Sequence, residues 1–180
     1  MAANPVQGEE QPQTAPSVRP LRARSGDFVR GFESAFAKFQ VAVETACAAE
    51  PDWPMQVAAA IRAILEFAAN DSATAHVLTV ESLALGDGNF AHRRPVDHLA
   101  GLLAGGRNIH PEGDVLPSLL EDALAGGIFM LVVQRLEVGN GAALPALTPD
   151  AIEFALTPYI GRERARHVAM AGSPERDSNS

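Results

Sequence analysis

DFVRGFESAFAKFQVAVETACAA, residues 27–49, decides the fold class. Phe28, Phe32, Phe36, Phe39 and Val43 recur at spacings of three and four, which places them on one face of a long helix. That helix is expected from about Asp27 to Ala49, with Ser25 as its N-cap and Pro51 and Pro54 breaking it. The same period continues downstream. A second helix opens near Trp53, where Pro54 suits a first turn, and buries Val57, Ile61, Ile64, Leu65 and Ala68 before Asn70 and Asp71 end it. Ser72 is expected to cap a third helix holding Ala75, Val77, Leu78, Val80, Leu83 and Ala84; its wide apolar surface suits a central position. Gly86 to Gly88 reads as a turn.

A fourth helix is expected from about Asn89 to Ala104, with Phe90, Val96, Leu99, Leu102 and Leu103 inward. Gly105 and Gly106 stop it, and Arg107 to Asp114 is a loop. The fifth runs from about Pro117 to Val138 and is apolar nearly all round, so it needs cover on more than one side. Thr148 and Pro149 start a sixth helix that Pro158 ends, and a short last helix spans Arg162 to Ala169. No segment alternates with the period of two expected of a half-buried strand. The sequence therefore predicts an all-α protein of six to seven helices with no internal repeat.

The 180 residues are 47% hydrophobic, enough for one core, and carry a net charge of −8. That acidity argues against the usual basic nucleic-acid binder. The acidity belongs to the central part, because residues 1–24 hold three Arg against two Glu. Residues 1–25 are Pro- and Gln-rich without periodicity and read as a disordered arm, in which Arg19, Arg22 and Arg24 are available to an acidic partner. Residues 26–170 form the helical domain, and 171–180 read as a frayed polar tail. No apolar run approaches the roughly 20 residues of a membrane span. Met1 to Pro20 has no apolar signal core, so a cytoplasmic location is expected. Cys47, the single cysteine, excludes an intramolecular disulfide and a cysteine-based zinc site, and its alanine-rich surroundings suit an inert thiol.

Catalytic signals are few. There is no phosphate-cradling glycine loop and no nucleophile-elbow serine. His76, His92, His98, His110 and His167 are scattered, and His92 and His98 do not share a helical face, so no metal is expected. Asp150 and Glu153 sit in a first turn, where they complement the helix dipole; Glu121 and Asp122 are a second carboxylate pair. Glu81 is flanked by Val77, Leu78, Val80 and Leu83, so it is expected either to pair, with Arg62 as a partner, or to face a cavity. The adjacent Gly126 and Gly127 cost about 1 kcal/mol each inside a helix relative to Ala. Close approach of another backbone would offset that, either within the chain or across a symmetric dimer.

Phe32, Phe36 and Val43, Glu50-Pro-Asp-Trp53, Ile64-Leu-Glu-Phe67, Asn70-Asp71, Val80-Glu81, the small-residue run Ala125-Gly-Gly-Ile128 and Ala155-Leu-Thr-Pro-Tyr-Ile-Gly161 together resemble the regulatory C-terminal domain of TetR/AcrR-type transcriptional regulators. The resemblance covers about residues 27–169 and rests on helix-packing residues. It implies a ligand-accommodating, dimer-forming core that pairs with itself or a related regulator. The dimer bundle would use Pro117–Val138 and Thr148–Thr157, with Leu120, Ala123, Leu124, Gly127, Leu131, Ile152 and Leu156 at the interface. A cavity for a small apolar ligand would lie among the central helices, with Phe67, Val80, Glu81, Leu99, Met130 and Gln134 as lining. Such regulators carry a three-helix DNA-binding unit ahead of the long helix. The residues before Phe28 do not form one, so operator binding is not carried over and no direct nucleic-acid contact is expected. No cofactor and no enzymatic activity are expected. Other readings of the same residues are a truncated full-length repressor, a helical scaffold or adaptor, and a small helical enzyme using Glu81 or a histidine.

Overall fold

The computed structural model describes residues 21–82 and 93–171. The Gly86 to Gly88 turn, Leu83, Ala84, Phe90, His92, residues 1–20 of the expected arm and residues 172–180 of the expected tail lie outside them. Among the described residues there are seven α-helices and no strand: α1 Leu21–Ala48, α2 Trp53–Asn70, α3 Ser72–His76, α4 Arg94–Ala104, α5 Leu120–Glu137, α6 Thr148–Ile160 and α7 Arg162–Ala171. The all-helical class read from the sequence is what the structure has. α1 begins before the expected Asp27, so residues 21–25 of the predicted arm are helical and Ser25 is not a cap. Leu21, Arg22, Ala23 and Arg24 are all good helix formers, which explains the extension.

The aromatic stripe of α1 is a ladder of rings. Phe28, Phe32, Phe36 and Phe39 stand 5.9–6.1 Å apart, and Phe39 meets Phe67 of α2 edge-on. Arg94, at the start of α4, lays its guanidinium 4.2 Å from the Phe36 ring centre and pairs with Glu33. α2 is the central helix. It touches α1, α3, α4, α6, α7 and the 3-10 turn Gly141–Leu147, and its consecutive Val57 to Ile61 are all buried. Asp52 caps it by accepting the Met55 amide at 3.0 Å.

The third helix is not the central one. It is short, and it continues as a wider π-helical turn, Val77–Glu81. Its cap is Asp71 rather than Ser72, because the Asp71 carboxylate accepts both the amide (3.1 Å) and the hydroxyl (2.6 Å) of Thr74. α6 runs through Pro158 to Ile160 instead of ending at the proline. Pro158 removes only the bond to the carbonyl of Phe154, an exposed residue, so the last turn survives. Gly161, at φ 77°, ends the helix and donates its amide to the Thr157 carbonyl at 3.0 Å. No described helix is long and apolar enough to cross a membrane.

Candidate functional site

α5 carries the features that bear on function. Leu124, Ala125, Ile128, Phe129, Val132, Val133 and Leu136 are buried in the core. Cover comes from more than one side, as expected: the Val77–Glu81 turn, α4, α6 and the Gly141–Leu147 turn all touch α5, yet among the described residues one face stays open. Leu119, Ala123, Gly127, Met130, Gln134 and Val138 are all exposed. Their spacings of four, four, three, four and four make one strip along the helix, about 28 Å long at 1.5 Å per residue. None of the six is charged. Phe154 of α6, 51% exposed, extends the strip sideways, its ring edge 3.5 Å from where a Gly127 Cβ would lie.

Leu124, Ile152 and Leu156, expected at a dimer interface, are core residues with at most 5% exposure. Leu120 and Leu131 are half-buried, whereas Ala123 and Gly127 lie on the strip. The large aliphatic residues serve the chain's own core, and the face they leave outside is made mostly of small or uncharged side chains, with the exposed Asp122 and Glu137 at its ends. Of the two approaches expected at the paired glycines, the one within the chain is not seen among the described residues. Among the described residues no other backbone approaches them: Gly127 is overlaid by the Phe154 ring, and a Cβ at Gly126 would meet no described atom within 4 Å.

Gly126 borders a pocket of about 140 Å³ between the Val77–Glu81 turn, α4 and α5. Leu78, Val96, Phe129, Met130 and Val133 line it with two hydroxyl residues, Thr79 and Ser82. Of the six residues expected to line a cavity, Met130 alone borders this pocket. Leu99 is in the core at 1% exposure, Phe67 packs against Phe39, and Val80 is half-buried. Gln134 and Glu81 are exposed; Glu81 forms no ion pair with Arg62, since the π-helical turn carries it outward while Leu78 and Thr79 take the buried positions. The signal for Thr79 and Ser82 in the sequence was slight, because both hydroxyls spend their proton on backbone carbonyls within the same turn.

The main polar cluster lies elsewhere. Arg107 forks onto Glu121 at 2.8 and 2.9 Å, and also donates to the carbonyls of Gly113, Leu116 and Pro117. Tyr159 donates its hydroxyl to Glu121 at 2.9 Å and stands edge-on to Trp53, whose indole donates to the Leu102 carbonyl at 2.7 Å. Burial pushes the Glu121 carboxyl up, but the Arg107, backbone and Tyr159 hydrogen bonds together outweigh it, and the group ends below the usual carboxylate range. Burial, then the bond to Glu121, pushes Tyr159 well above an ordinary tyrosine. A carboxylate held charged and fully bonded is a poor acid or base, so the cluster fixes the loop rather than performing chemistry. Cys47 is half-buried, with its thiol pushed up by burial and by Glu44, and donates to the Gln56 carbonyl at 3.6 Å. Among the described residues no three His, Cys, Asp or Glu side chains converge as metal ligands; His98 packs on Phe39, and His110 accepts the Glu112 amide.

Compared with family models, curated proteins and solved structures, the chain matches none.

Proposed function

We propose that the protein is a TetR-like regulatory core that forms a homodimer through α5 and α6 and senses a small apolar molecule, with no DNA-binding unit among residues 27–169. The exposed strip on α5 carries this reading. Six uncharged exposed residues in a strip about 28 Å long, with the exposed Phe154 beside it and the exposed carboxylates of Asp122 and Glu137 at its two ends, make a largely apolar face on a chain of net charge −8. A two-fold axis across it would set two α5 and two α6 helices side by side as a four-helix bundle, with the small Ala123 allowing close approach and the Phe154 ring over Gly127 packing into the seam. The sequence resemblance supports the same use of this helix pair.

Light scattering of the purified protein tests the reading. A mass twice that of the chain is expected at micromolar concentration. Ala123→Glu would place like charges across the axis and weaken association by about tenfold or more, while leaving the fold unchanged at an exposed site. A monomer at high concentration, or a dimer indifferent to Ala123→Glu, overturns it.

A further inference from the structure

The pocket beside Gly126 has the properties of a binding site for a definite class of molecule. Among the described residues its walls are apolar except for Thr79 and Ser82, which are 3% and 6% exposed. Both hydroxyl protons are committed: Thr79 donates to the Ala75 carbonyl at 2.7 Å, and Ser82 to the Leu78 carbonyl at 2.8 Å. What each hydroxyl has left is acceptor capacity. A ligand must therefore bring a donor, and the rest of it must be apolar. The volume of about 140 Å³ is that of a single ring; an engineered apolar cavity of about 150 Å³ holds benzene. Gly126 fits the same purpose. A glycine at this helical position is about 1 kcal/mol worse than alanine, yet no atom of the described residues lies within 4 Å of the missing Cβ. The protein keeps the space open at a cost in helix stability.

We propose that this pocket binds a compact alcohol or phenol, its ring or chain against Leu78, Phe129 and Val133 and its hydroxyl donating to Thr79 or Ser82. The proposal rests on the ligand-sensing part of the reading above and names its chemical class. Met130 borders the pocket and also lies on the exposed strip, so occupancy and self-association share a side chain.

Calorimetric titration with phenol, and with toluene as an isostere lacking the donor, tests this directly. Phenol should bind saturably and about tenfold more tightly than toluene, the worth of one hydrogen bond. Gly126→Leu should fill the pocket and abolish binding of both. Thr79→Val combined with Ser82→Ala should abolish the preference for phenol while toluene still binds. Circular dichroism melts of each variant establish that it is folded. Absence of saturable phenol binding, binding that survives Gly126→Leu, or a preference that survives loss of both hydroxyls overturns the proposal. Light scattering on the same samples separates the two readings: a dimer that ignores phenol removes the pocket assignment alone, and a monomer that binds it removes the dimer alone.

Discussion

Tyr159 shows how one atom ties distant parts of the chain together. Its ring is 3% exposed, and its hydroxyl reaches a carboxylate at the start of α5 that also clamps the Arg107 loop. Tyr159→Phe keeps the ring and deletes one charge-assisted hydrogen bond, so a loss of about 1.5 kcal/mol in urea unfolding is expected. Gly113, in the same loop, has a different constraint: a Cβ there would lie 2.0 Å from the Arg107 carbonyl oxygen, a backbone atom that cannot step aside. None of this was legible in advance. In the sequence Glu121 reads as half of a carboxylate pair, and Arg107 as a loop residue. Their contact depends on how the loop folds back, which helical periodicity does not encode.

Helices were the legible level, because an apolar stripe of period 3.6 reports its own buried face. α1 and α2 follow their stripes, and Val57, Ile61, Ile64 and Leu65 are buried as expected. α5 resisted the same reading because it is apolar all round: the stripe that enters the core and the face that stays outside have nearly the same hydrophobicity. The glycines of the two helix positions Gly126 and Gly161 separate by backbone geometry. Gly126→Ala puts a methyl into open space in an ordinary helical backbone and should stabilise the protein by about 1 kcal/mol. Gly161 sits at φ 77°, so Gly161→Ala should destabilise by about 1 kcal/mol although nothing lies near its Cβ. Thermal melts of the two variants should therefore shift in opposite directions.

At the scale of the whole molecule, the Glu121–Tyr159 contact shapes the pH range of stability from both ends. Glu121 has a folded pKa below its unfolded one, so its contribution is complete above the ordinary glutamate value, about pH 4.3, and is lost as pH falls through the folded value. Asp71 acts with the same sign, held down first by the Thr74 hydroxyl. Tyr159 has a folded pKa above its unfolded one, so its contribution is complete below about pH 10 and is lost as pH rises through the folded value. The melting temperature should thus hold a plateau at neutral pH and fall on both sides. Glu121→Gln should shrink the acid limb, leaving the part that Asp71 supplies. It also removes the charge that disfavours tyrosinate, so the alkaline limb should shrink with it. Tyr159→Phe should shrink the alkaline limb, leaving the part that the raised Cys47 thiol supplies, and leave most of the acid limb, because Arg107 still holds Glu121. A melting series from pH 3 to 11 on the parent and both variants checks this; an alkaline limb unchanged in Tyr159→Phe would show that another group governs it.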